Sequence, residues 1–364
     1  MGQIAAAAPI RQRPHLHLRN CSFPPCRAAT TLSLFNPTTG EPMRDENQQK
    51  RRLLLQGLAA GALAGGAPLV RAAQDKVLRI GYQKFNTLNI LKGTGRLEQA
   101  LAPQGWQVKW FEFAAGPQLT EALNANAIDF GHAADTPSVF ANASGVNAVY
   151  LGAEQPYPKG IAIFVAQDSP IRSVKELKGR KVATGRGWNV QFLLLKALEE
   201  VGLSYNDIEP VYVTNAADVR AAFQSGNVDA ATLWDPFLAG QEVSTRPRVL
   251  RDGTGLSNNR TFHLAVPRFV DQNRDVVRTL FAELKQANTW TQAHPQETAD
   301  LLAPQLGVDP KVLRLATERR NYTTVAVDAG IVAEQQQIAD AFLKLGLIKN
   351  AVRVQDKVYR DVLV

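Results

Sequence analysis

The chain has 364 residues, 45% of them hydrophobic and 20% charged, and a formal net charge of +8. Such a chain is long and apolar enough for two domains, or one large two-lobed α/β unit, without help from a disulfide or a metal. The charge invites a nucleic-acid reading, but residues 1–72 hold nine of the 41 basic and three of the 33 acidic residues; the remaining 32 and 30 give a net of +2 with no basic block, which excludes nucleic acid as a partner.

Residues 1–42 carry Pro14, Pro24, Pro25 and Pro37 among scattered arginines and show no periodicity, so this stretch is expected not to fold. Met43 reads as the natural start, which makes 1–42 a disordered extension or a gene-start artefact. Lys50-Arg51-Arg52 then precedes a Leu-, Gly- and Ala-rich run that ends at Val70-Arg71-Ala72-Ala73. This is the layout of a signal peptide over 43–72, cut after Ala72, and its paired arginines are of the twin-arginine type. A membrane anchor fits less well, because Pro68 and the many small residues lower the hydrophobicity of the run. A periplasmic location follows. Both cysteines, Cys21 and Cys26, lie ahead of the cut, so the exported chain would have no disulfide, thiol nucleophile or cysteine metal site.

Beyond the leader, Val77 to Tyr82 predicts a strand running into a polar loop, Gln83 to Asn86. A helix follows, then a strand over Val108–Phe113, a break at Gly116-Pro117, a helix over Gln118–Asn126 and a short strand at Ala127–Gly131. The alternation is βαβ and predicts mostly parallel sheets flanked by helices. The pattern returns about 100 residues later. Lys181–Thr184 predicts a strand, Gly185–Asn189 a loop, and Val190, Leu193, Leu194, Ala197, Leu198 and Val201 one apolar helix stripe that stops at Gly202. Leu123-Asn124 answers Phe223-Gln224, and Ile128-Asp129 answers Val228-Asp229. Two related α/β lobes place a ligand cleft between the carboxyl ends of their sheets.

Several motifs face that cleft on this reading. Gly185-Arg186-Gly187-Trp188-Asn189 joins a strand end to a helix start, where free N–H groups and the helix dipole favour an anion and Arg186 adds a bidentate cation. Lacking Gly-Lys-Ser/Thr and a third glycine, the loop is neither a nucleotide-triphosphate loop nor a dinucleotide fingerprint; a plain capped turn is the other reading. Gln83 and Asn86 face the same cleft, whereas Lys84 reads as a solvated surface charge. In Gly131 to Pro137, His132 and Asp135 could suggest acid–base or metal chemistry, but three histidines beyond the leader and no cysteine are too few for a typical zinc cluster. Asp135 and Thr136 read better as ligand donors or helix caps. Trp234-Asp235 sets an aromatic beside an acid at a strand end, either as a wall for an apolar ligand tail or as a core Trp.

The segments Leu78–Lys84, Phe113–Gln118, Gly131–Pro137, Ala221–Asp229 and Trp234-Asp235-Pro236 resemble the aliphatic sulfonate-binding proteins of ABC importers, relatives of the taurine- and nitrate-binding proteins. The resemblance spans about residues 76–360. It implies a two-lobed type II periplasmic binding protein, a Venus flytrap, with one lobe from 76–158 plus 256–364 and the other from 159–255. It also implies a monomer without cofactor that captures a small organic anion, an aliphatic sulfonate, and presents it to a membrane permease and its ATPase. By position it implies a site at Gln83, Gly116, Asp135, the loop Arg186 to Asn189, Trp234 and Arg320. Trp188 stands where the family shows a Ser-rich stretch, and Ala133-Ala134 replace hydroxyl-bearing residues, which points to a bulkier or more aromatic sulfonate. The competing expectations are an enzyme on the same scaffold, of the desulfinase kind, and a periplasmic ligand sensor.

Overall fold

The computed structural model describes residues 76–361; the expected signal peptide at 43–72 and the segment 1–42 lie outside them. β1 (Val77–Tyr82) buries Leu78 and Ile80 completely and turns into α1 (Thr87–Thr94), where the Asn86 side chain receives the Leu88 N–H at 2.8 Å as the helix cap. α2 (Arg96–Leu101), β2 (Gln107–Glu112), α3 (Gly116–Asn124), β3 (Phe130–Ala134), α4 (Asp135–Ala143) and β4 (Val149–Glu154) follow. The chain then crosses into β5 (Ile161–Val165), β6 (Lys181–Thr184), α5 (Asn189–Glu200), β7 (Glu209–Tyr212), α6 (Ala216–Gln224), β8 (Ala230–Trp234), α7 (Phe237–Thr245) and β9 (Arg248–Asp252). It returns through β10 (Thr261–Ala265) and ends in α8 (Pro267–Gln272), α9 (Arg274–Ala293), α10 (Pro295–Leu306), α11 (Pro310–Glu318), β11 (Thr324–Val325) and α12 (Ala329–Lys344). Among the described residues no helix is long and apolar enough to cross a membrane.

The strands form two sheets, ordered β11-β4-β10-β3-β1-β2 and β7-β6-β8-β5-β9. Taken from β2 and β7 inward, five strands of one match five of the other. The helix-linked pairs β1–β2, β1–β3, β6–β7 and β6–β8 are parallel. β10 between β3 and β4, and β5 between β8 and β9, run antiparallel. Each sheet is therefore mixed: most strands run one way, with β10 and β11 reversed in the first sheet and β5 in the second. The βαβ alternation describes only half of each sheet; the other half is built around the strand that arrives from the opposite lobe, with no helical return to make it parallel.

The internal echo has a structural cause. α3 and α6, and likewise β3 and β8, lie 100 residues apart. In the first lobe Asp129 donates its N–H to the Arg79 carbonyl at 2.8 Å and accepts the Arg79 N–H on its carboxylate at 2.9 Å. In the second, Asp229 does the same to Lys181, at 2.9 and 2.8 Å. The acid after each short turn ties down the start of the neighbouring central strand.

α5 buries the predicted stripe from Val190 to Leu198, with Val201 half-buried just past its end, but also Gln191, Phe192 and Leu195. Of these, Phe192 meets the first lobe: it lies 6.1 Å from Phe342 of α12, which packs at 4.9 Å on Phe140 of α4. On the opposite flank Arg319, at the end of α11, ion-pairs with Asp235 at 3.2 Å and Glu242 of α7 at 2.6 Å. One flank of the lobe–lobe contact is thus aromatic and the other ionic.

Candidate functional site

A cavity of about 60 Å³ lies between the lobes, room for roughly four water-sized groups. The turn after β1, the starts of α3, α4 and α5, the end of β8 and the two crossovers all reach it. The first N–H groups of a helix have no intrahelical acceptor. α3 and α5 carry no side-chain cap, so Gly116 and Asn189 bring the positive ends of two helices to the cavity, one from each lobe. Gly116 is required there, since a Cβ would meet the Pro137 ring at 2.7 Å.

Arg320 forms the floor. Its Nη2 pairs with Glu154 at 2.5 Å and donates to Thr261 Oγ1 at 3.1 Å, and its guanidinium lies 5.2 Å from the Tyr157 ring and 5.6 Å from that of Tyr322. Burial works against its charge, but Glu154 more than compensates and holds it cationic. Arg320 Nε is buried without a hydrogen-bond partner. A cation with unused donors, beside two uncapped helix starts, is built for an oxyanion.

The side walls are mainly apolar and aromatic. Trp188 and Trp234 pack edge to face at 4.8 Å, and Phe237 packs on Trp234 at 5.4 Å. Gly185 lies beneath the indole of Trp188: a Cβ there would come within 1.9 Å of the ring. His132 accepts the Gln83 N–H at Nε2, 3.1 Å away, and its other ring nitrogen contacts the Asn86 amide. Burial, with His263 and Arg320 nearby, pushes its pKa well down, so it is a neutral structural support rather than an acid or base at neutral pH.

Of the residues expected at the site, Gln83, Asn86, Gly116, Trp188, Asn189, Trp234, Asp235 and Arg320 line the cavity together. Four do not. Arg186 is exposed and stacks on Tyr212 at 5.1 Å. Gly187 takes a left-handed turn at φ 71 and gives its N–H to Gln191, so this bend directs Trp188 rather than Arg186 inward. Asp135 and Thr136 are the first two residues of α4, whose start has no side-chain cap, and they bond to each other. The Asp135 carboxylate accepts the Thr136 N–H and hydroxyl at 2.6 and 3.1 Å, which leaves those donors nothing for a ligand. Phe85, Tyr157, Asn259 and Thr261 also line the cavity. Tyr157 and Asn259 belong to the two crossovers, 102 positions apart, and are joined by an Asn259 side-chain bond to the Tyr157 carbonyl at 2.8 Å. Their only sequence signals are the prolines around Tyr157 and the polar run Asn258 to Thr261 before a strand.

Residues 102–298 match the family model described as NMT1/THI5 like. The chain belongs to the NMT1/THI5-like family. Within it, the chain is 38% identical over 311 residues to an aliphatic sulfonates-binding protein of Escherichia coli K12, covering 85% of this chain and 97% of that one. The alkanesulfonate-binding protein SsuA of Xanthomonas axonopodis pv. citri, solved bound to MOPS, superposes with a TM-score of 0.75 at 35% identity over 80% of this chain and 100% of that chain. A desulfurization enzyme, DSZB, superposes at 0.60 with 18% identity, covering 79% and 97%, a likeness of fold alone.

Proposed function

We propose that this protein captures an organic sulfonate between its lobes in the periplasm and presents it to the permease and ATPase of an ABC importer. The observation that carries this reading is the meeting of Arg320 with the uncapped starts of α3 and α5, which gathers anion-binding groups from both lobes around one small cavity. The family relatives named for sulfonate binding support the chemical class. On this reading the lobes, 76–158 plus 256–364 and 159–255, close on the ligand, and the leader at 43–72 is a twin-arginine signal. The closed form acts as a monomer, and the aromatic wall of Trp188 and Trp234 receives the organic tail. A catalytic role is disfavoured, because the cavity lining holds no cysteine or serine nucleophile and His132 is neutral and committed to structure. Thermal melting with ethanesulfonate, sulfate and nitrate tests the reading: the sulfonate raises the melting temperature most, and stabilisation by sulfate or nitrate alone would refute it.

A further inference from the structure

A second and larger cavity, of about 820 Å³, opens on the first lobe between α9 and the segment that carries β11. Its lining holds one charged side chain, Lys285, and no carboxylate. Lys285 is exposed and has no ion-pair partner among the described residues. Gln292 gives its amide oxygen to the Tyr322 N–H at 3.3 Å, which leaves its amide nitrogen for a ligand. Phe281, Tyr322 and Val325 add apolar surface. A lone cation and neutral donors beside apolar walls suit an organic anion with one charge and an apolar body. The space, against about 60 Å³ in the cleft, admits bodies of two rings that the cleft does not.

This cavity backs onto the floor of the cleft. Tyr322 belongs to both: it lines the cavity, and its ring lies 5.6 Å from the Arg320 guanidinium. Asn288, also in the lining, donates to Thr324 Oγ1 at 3.3 Å. That oxygen lies 3.5 Å from His263 Nε2, which is 3.8 Å from Glu154, the partner of Arg320. β11 also sets Thr324 directly opposite Glu154 in the sheet. A ligand that orders Tyr322 and Thr324 therefore acts on the pair that holds the cationic floor in place.

We propose that this cavity is a second ligand site, for an organic anion with an apolar body, and that its occupancy tunes the cleft through Tyr322 and Thr324. Lys285 meets the charge of the ligand, and Phe281, Tyr322 and Val325 receive its body. The site itself stands apart from the sulfonate reading; its coupling to the cleft rests on that reading.

Calorimetry of the full exported chain with naphthalene-2-carboxylate tests it, beside naphthalene-2-methanol, which carries the same rings without the charge. One equivalent of the carboxylate binds, about fivefold more tightly than the alcohol. Lys285→Gln removes that preference and leaves the affinity for ethanesulfonate unchanged. Ala326→Trp, which sets an indole in the exposed part of the lining, abolishes carboxylate binding. Saturating ethanesulfonate changes the carboxylate affinity by about threefold, and the carboxylate changes the ethanesulfonate affinity by the same factor. A weakening that keeps growing with ethanesulfonate concentration is competition; it would put the carboxylate in the cleft and overturn the second site. Equal affinities for carboxylate and alcohol, or carboxylate binding unchanged in both variants, would overturn it as well. Binding through Lys285 with no effect of either ligand on the other would overturn the coupling. If ethanesulfonate fails to bind while the carboxylate binds through Lys285, the sulfonate reading falls and the second site stands.

Discussion

Arg320 and Glu154 pair at 2.5 Å in the floor of the cleft with side-chain exposures of 6% and 2%, and Thr87 donates to the second Glu154 oxygen at 2.9 Å. Breaking a buried pair by neutralising one member leaves the other charge unbalanced. Glu154→Gln is therefore expected to lower stability by about 3 kcal/mol in urea denaturation. A variant as stable as the natural protein would mean that Arg320 finds its compensation elsewhere.

Gly185→Ala places a methyl group against the Trp188 indole, a rigid ring that cannot swing clear as a flexible chain end could. A cost of about 1–3 kcal/mol is expected, together with weaker ligand binding, because the ring displaced is part of the cavity wall. Melting and tryptophan fluorescence during ligand titration measure the two effects. Normal stability with normal affinity would show that the wall tolerates repacking.

Phe342 is fully buried and bridges Phe140 of its own lobe to Phe192 of the other. Phe342→Ala is expected to cost about 3–5 kcal/mol. A loss well below about 1 kcal/mol in the unliganded protein would indicate that the aromatic flank is open in solution.

Burial pushes the Asp135 carboxyl up to about 6, opposed by its bonds from Thr136; its ordinary value is 3.8. With the folded value raised, the stabilising contribution is complete below pH 3.8 and lost as pH rises through about 6. Relative to Asp135→Asn, the natural protein should lose on the order of 3 kcal/mol across that window and stay level above it. His263 works in the opposite sense. Burial, only partly offset by Glu154, lowers it from 6.5 to about 4, so its contribution is complete above pH 6.5 and lost as pH falls through about 4. Melting curves of the natural protein and Asp135→Asn at matched pH test the first window; a natural protein that gains stability relative to Asp135→Asn as pH rises through it would contradict the assignment.

Much of the fold could be read locally. The β1 strand, the α5 stripe and the paired acids Asp129 and Asp229 all follow from spacing, because periodicity and short turns depend on neighbours in sequence. The antiparallel strands β5 and β10 could not be read that way, since their direction is set by crossovers between lobes. The site divides along the same line. Gln83, Gly116, Trp188 and Trp234 sit at strand ends or helix starts, the places a βα reading points to, and they reach the cavity. Arg186 occupies the right loop but the wrong side of the Gly187 bend, and a nearby tyrosine face offers it an exposed partner. Glu154, 166 residues from Arg320, and Tyr157 with Asn259 become neighbours only through tertiary contact.

The most direct test of sulfonate capture is calorimetric titration of the exported chain with ethanesulfonate, beside the same titration of Arg320→Ala checked for folding by circular dichroism. The natural protein should bind one equivalent, and the variant should lose at least about 2 kcal/mol of binding free energy, a typical effect of removing a buried charged hydrogen-bond donor. Absence of binding by the natural protein, or unchanged affinity in the folded variant, would contradict the assignment of this cleft.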